Sequence, residues 1–154
     1  MSKNTILINA SPDDVFDVLL DARMYPRWVV GAKHVRGVDD DWPAVGSRFH
    51  HRVGAGPIET ADSTKILAVD RPRHLTLEVR FRPIGVGIVD LDVSPEWNGG
   101  SYVLMEEHPT AGPVHALRSK ALDVATHLRN AVSLRRLRRL AERRARSRLA
   151  GAAR

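Results

Sequence analysis

The chain opens on a short β-branched run, Thr5-Ile6-Leu7-Ile8-Asn9, which predicts a strand. Ser11-Pro12-Asp13-Asp14 then predicts a helix start. Ser11 can accept a hydrogen bond at the N-cap, Pro12 has the φ of a first turn, and the two aspartates favour the positive end of the helix dipole. Val15, Phe16, Val18, Leu19 and Leu20 add a one-sided apolar stripe over about two turns. A second short helix is expected over 22–30, with Pro26 near its first turn.

From Lys33 the pattern becomes alternation broken by turns. Val35-Arg36-Gly37-Val38 predicts a weak strand before Asp39-Asp40-Asp41. Over 47–53, Phe49, His51 and Val53 share one face, and Arg48, His50 and Arg52 the other. A strand of unclear phase is expected over 60–69. The cleanest strand is 74–82, with Leu75, Leu77, Val79 and Phe81 together on one face. The next, 84–93, changes its apolar phase at Ile88-Val89, which predicts a bulge there. Asn98-Gly99-Gly100 predicts a hairpin turn into a last strand at 102–107, with Val103 and Met105 inward.

After Gly112-Pro113 the period is helical. Leu117, Ala121, Val124, Leu128 and Ala131 form a stripe continued by Leu134, Leu137 and Ala141. One helix over about 114–149 would be roughly 50 Å long at 1.5 Å per residue, with its last turns overhanging or frayed. Antiparallel strands with segregated helices are the α+β class, and the inner face of a curved sheet is the surface such a helix needs. A length of 154 residues fits a single domain, 1–154.

Charge changes this picture only at one end. The net charge is +6, but residues 118–154 hold 12 Lys and Arg against Asp123 and Glu142 alone, while 1–117 hold 12 against 16 acidic residues. Basicity is thus a property of the helix end at about 135–154 rather than of the domain. There are no cysteines, which excludes a disulfide scaffold, a zinc ribbon and thiol chemistry and suits a cytoplasmic protein. Neither a membrane-spanning apolar run nor a leader-like N-terminus is visible. Nucleotide-binding glycine loops, H-E-x-x-H and G-x-S-x-G are absent, so no cofactor is expected. The histidines show no ligand spacing, and adjacent His50 and His51 face opposite ways in a strand, so no metal is expected either.

Several segments carry a resemblance. Ile8-Asn9-Ala10-Ser11-Pro12-Asp13-Asp14-Val15-Phe16, Tyr25-Pro26-Arg27-Trp28, Trp42-Pro43-Ala44-Val45-Gly46, Asp70-Arg71-Pro72-Arg73-His74-Leu75 and Gly99-Gly100-Ser101-Tyr102-Val103 resemble, in order, the START-like (SRPBCC) superfamily, in its polyketide cyclase/dehydrase-like branch. The resemblance runs from Ile6 to about Ala141. It implies a helix-grip fold: a curved seven-stranded antiparallel sheet around a long C-terminal helix, with two short helices after the first strand. It also implies a hydrophobic cavity for lipids, polyketides or other apolar ligands, and in some relatives cyclisation or dehydration. Fold motifs of this kind do not by themselves specify chemistry.

Within such a cup the polar candidates are few. His51, inward beside Phe49, reads either as a general base near neutral pH or as a histidine satisfied by a carbonyl or water. Glu107, at period two from Val103 and Met105, reads either as an inward carboxylate paired with His51 or Arg52 or as a strand-end group in water. Trp28 reads as cavity wall and as packing. The expected ligand contacts are Trp28, Phe49, His51, Phe81, Met105 and Glu107, with Leu117, Val124 and Leu128 from the helix. The expected role is binding of a small hydrophobic ligand. The alternative is a cyclase/dehydrase-like enzyme with His51 as base and Glu107 as its partner. A second alternative works through the arginine-rich helix end, which reads as a solvated outer face, a nucleic-acid contact or a weak contact with an anionic membrane. The segment lacks aromatics, which argues against base stacking and against interfacial tryptophan anchoring alike. The sequence leaves the oligomeric state open.

Overall fold

The computed structural model describes residues 1–55, 58–81, 85–111 and 120–152. Strands β1 (Ser2–Ile8), β2 (Ala32–Val38), β3 (Arg48–Ala55), β4 (Ile58–Asp70), β5 (His74–Phe81), β6 (Gly85–Pro95) and β7 (Ser101–Ala111) form one antiparallel sheet in the order β1-β7-β6-β5-β4-β3-β2. Helices α1 (Pro12–Leu19) and α2 (Tyr25–Trp28) follow β1, and α3 (Lys120–Ala152) closes the inner face. This is the α+β class expected from the alternation, in the helix-grip form that the resemblance implied. Among the described residues no helix is long and apolar enough to cross a membrane.

Local chemistry accounts for the elements. Ser11 caps α1 by accepting from the Asp14 N–H at 3.2 Å, with Pro12 in the first turn. Val15, Phe16, Val18 and Leu19 are buried beneath it. The segment 22–30 divides into a 3₁₀ turn, Ala22–Met24, capped by Asp21, and the one-turn α2 containing Pro26. Asn98-Gly99-Gly100 turns β6 into β7, with Gly99 at φ 81°. A Cβ on Gly100 would lie 2.8 Å from the Ile8 carbonyl oxygen, so only glycine lets β1 pass there.

Three expectations need correction. The sheet irregularity lies between Val86 and Gly87, not at Ile88-Val89. Gly87 pairs with Pro109 and Val86 with Ala111, and Pro109 has no N–H to give the ladder. Gly87, Val89, Leu91 and Val93 stay buried on one face, so Ile88 is simply an apolar residue on the outer one. The last strand also runs past 107 to Ala111, which places Glu107 inside the strand rather than at its end.

The third correction concerns α3. Its buried residues are Asn130, Ser133, Leu134, Leu137, Ala141 and Ala145, while Val124 and Leu128 are 58% and 60% exposed. The apolar stripe from Leu117 to Ala141 repeats about every 3.4 residues, short of the 3.6 of an α-helix, and so drifts around the helix. At about 100° per residue Leu128 lies about 140° from Ala141, on the outer side. Nor does the C-terminal end overhang freely. Arg144 reaches Asp17 at 2.6 Å and Arg148 reaches Asp14 at 2.9 Å, and Arg71 bridges Asp13 and Asp17 from the β4–β5 turn. Arg135, Arg136, Arg138, Arg139, Arg143 and Arg146 remain exposed without an ion pair among the described residues.

Candidate functional site

The inner face of the sheet is apolar along β5 and β6, where Leu75, Leu77, Val79, Val89, Leu91 and Val93 are buried. Polar side chains enter it from β3, β4 and β7. Glu107 is buried on β7, and α3 supplies its partners. A guanidinium nitrogen of Arg129 donates to Oε2 of Glu107, and Asn130 Nδ2 donates to the same oxygen at 2.8 Å. Arg129 also donates to Asn130 Oδ1 at 3.1 Å. Ser133, one turn on, accepts from the Val30 N–H at 3.1 Å and so ties α3 to the end of α2.

This cluster stands between two spaces. An inner chamber of about 20 Å³ is lined by Tyr25, Trp28, Val79, Met105 and Ser133 among others. An outer cavity of about 180 Å³ lies toward Ser2, Val86, Ala111, Leu122 and Thr126. Glu107 and Arg129 line both. The inner chamber has room for one water-sized group and the outer for a larger, mostly apolar one.

Behind the inner chamber runs a second buried polar chain. His51 Nε2 lies 3.0 Å from Thr64 Oγ1, and the Tyr25 hydroxyl interacts with the same threonine. Asp62 is directly opposite His51 across the β3–β4 pair and is also buried. Burial lowers the His51 pKa from its ordinary value, with Asp62 opposing, so the ring is held neutral. Burial pushes the Tyr25 phenol up to about 12, so it stays protonated and can donate. Phe49 packs edge-on to Tyr25 at 4.8 Å and next to His51 at 5.2 Å, which fixes both rings. Buried Trp28 Nε1 has no hydrogen-bond partner among the described residues, and neither has Arg80 Nε on β5.

The sequence-predicted residues therefore separate. Trp28, Met105 and Glu107 line the inner chamber. His51 and Phe49 are buried behind it, and neither lines either of these two spaces. The expected pairing of Glu107 with His51 or Arg52 is replaced by Arg129 and Asn130, and Arg52 instead reaches Glu59 at 3.7 Å. Val124 and Leu128 face away from both spaces for the reason of helical phase given above. Leu117 and the side chain of Phe81 lie outside the described residues.

Tyr25, Asp62, Thr64, Arg129 and Asn130 were missed. One signal was available. Asn130 is a poor helix former in mid-helix, and with Ser133 it puts polar groups where the stripe should be apolar. Among the described residues no group of His, Asp and Glu is arranged to hold a metal ion.

Comparison with known proteins adds the following. Residues 2–143 match the model of the family described as polyketide cyclase/dehydrase and lipid transport. No curated protein sequence matches significantly. Among solved structures, a conserved protein from Geobacillus kaustophilus superposes with a TM-score of 0.72 at 14% identity, over 92% of this chain and 94% of that one. Protein NE0264 from Nitrosomonas europaea gives 0.70 at 17%, over 92% and 93%. The di-domain ARO/CYC StfQ from the steffimycin biosynthetic pathway gives 0.61 at 15%, over 96% of this chain and 51% of that one. At such identities these structures speak to the fold.

Proposed function

The chain belongs to the polyketide cyclase/dehydrase and lipid transport family, and from that premise we propose that it binds a small, oxygen-bearing apolar molecule in the cup between sheet and α3. One observation carries this reading: the Glu107–Arg129–Asn130 cluster divides a largely apolar outer cavity from a water-sized inner chamber. An apolar body fits the outer space. A carbonyl or hydroxyl tip suits the inner one, where the unpartnered Trp28 Nε1 and the Tyr25 hydroxyl are donors.

A second reading, a cyclase/dehydrase-like enzyme, is favoured by the Tyr25–Thr64–His51 chain. In it Tyr25, which lines the chamber, is the group that touches the ligand, and His51 is a positioning residue. The two readings share one experiment. Native mass spectrometry of protein purified from its own host is expected to show a bound molecule of small mass that Arg129→Met loses. Protein that is always bare, and that also fails to bind anilinonaphthalene sulfonate, overturns the binding reading. Ligands recovered from Tyr25→Phe and from the unsubstituted protein that differ by one water support the enzyme. Identical ligands support binding alone.

A further inference from the structure

The outer side of α2 carries a different surface from its inner side. Tyr25 and Trp28 point into the cup, while Arg23 and Arg27 line an open groove of about 560 Å³ with Lys33, His34 and Arg36 of β2. Residues 33 to 38 line it one after another, although successive residues of a strand face opposite ways. The groove therefore runs along the edge of β2, which among the described residues pairs with β3 alone and ends the sheet. Pro26, Val35 and Val38 give it apolar patches between the charges.

No carboxylate lines the groove, and none of its four fixed cations makes an ion pair among the described residues. Of the aspartates near it in sequence, Asp40 and Asp41 lie in the turn beyond β2 and do not line the groove, and the other two have partners of their own. Asp21 accepts from the Arg23 N–H at 3.0 Å, and Asp39 accepts from the Arg48 N–H at 2.8 Å and faces His50 at 3.7 Å. Lysine or arginine on an edge strand commonly guards against strand pairing, which would account for Lys33 and Arg36. It does not account for Arg23 of the 3₁₀ turn and Arg27 of α2, which line the same concavity. Like charges around a concave surface repel one another and concentrate a positive potential there, an arrangement that an anion relieves. The space exceeds a single small oxyanion and matches an organic ligand of nucleotide size.

We propose that this groove is a second binding site, separate from the cup, for a small organic molecule bearing two or more adjacent phosphates. The guanidinium groups of Arg23, Arg27 and Arg36 take phosphate oxygens in paired hydrogen bonds, and Lys33 supplies a point charge. The apolar patches at Pro26 and Val35 take the organic part. A soluble phosphate ester and a phosphorylated lipid headgroup present the same chemistry to it.

Titration calorimetry of the full chain with inorganic tripolyphosphate and with ATP, both free of magnesium, tests the site. Saturable one-to-one binding is expected, weakening as salt is raised. The double reversal R27E/K33E, at exposed positions, should weaken binding by about a hundredfold, at roughly tenfold per reversed residue. R139E/R143E, on the exposed face of α3 and at positions that do not line the groove, should leave it within about twofold. Flotation with phosphatidylcholine vesicles doped with phosphatidylinositol bisphosphate separates the sources. Vesicle binding lost in R27E/K33E identifies a lipid headgroup, and soluble binding without vesicle binding identifies a free phosphate ester. Absence of saturable binding to either soluble probe overturns the proposal. So does equal loss in the two double variants, which would make the effect one of general charge.

Discussion

Glu107 sits 8% exposed on a sheet face where its strand neighbours Val103 and Met105 are core residues. A carboxylate in that position is stable only while its oxygen is paired, because leaving a buried charge without a partner costs several kcal/mol. Arg129 and Asn130 supply that pairing from a different element. Arg129→Met should therefore destabilise the protein by about 2 kcal/mol in urea denaturation, less than for a fully enclosed pair because the guanidinium is still partly in water. Adding Glu107→Gln should restore part of the loss, and strict additivity would show that the two are not coupled. That Glu107 points inward was legible in its spacing from Val103 and Met105. Its partner was not, because a residue's period fixes only which side of its own element it faces. The chemistry across the gap depends on the phase of another element.

Phase is also where α3 parted from its sequence. Val124 and Leu128 carry the stronger apolar signal, yet Asn130 and Ser133 hold the inward positions, as Leu134, Leu137 and Ala141 require at 3.6 residues per turn. Leu134→Ala should cost about 3 kcal/mol through the cavity it leaves, while Leu128→Ala should stay within about 0.5 kcal/mol. Comparable losses in thermal or urea unfolding would mean that the helix is rotated from the arrangement described. Strand β4 hid its phase for the converse reason. Its inward positions include Asp62 and Thr64, and polar residues give alternation nothing to read until Ile66. β5, with Leu75, Leu77 and Val79 inward, was legible in its alternation.

At the scale of the molecule, two groups of side chains tie stability to pH. His51 is held below its ordinary 6.5 by burial. As pH falls through that value the unfolded chain takes up a proton that the folded chain refuses, so stability drops below about pH 6.5 and goes on dropping to the lower folded pKa. Burial of Asp14 and Asp17 works to raise their carboxyls, but hydrogen bonds from Arg148 and Ser11 to the first, and from Arg71 and Arg144 to the second, hold both below 3.8. Their contribution is complete above 3.8 and is lost as pH falls through the folded values, when the tie between α1 and α3 opens. Urea unfolding across this range should thus show two declines. His51→Asn should flatten the upper one alone and Asp14→Asn should reduce the lower, and a single decline unaffected by either would contradict the assignment. The strand order has a further consequence, for the chain as it is made. Among the described residues β1 pairs with β7 alone, with Ser2 opposite Glu107 and Ile8 opposite Ser101, so the first strand of the sheet is the last to be paired. At ordinary rates of translation, about 5 to 20 residues per second, that wait is on the order of 5 to 20 seconds. Through it the edge of β1 waits without its native cover, which is the interval in which edge-to-edge pairing with another chain competes with folding.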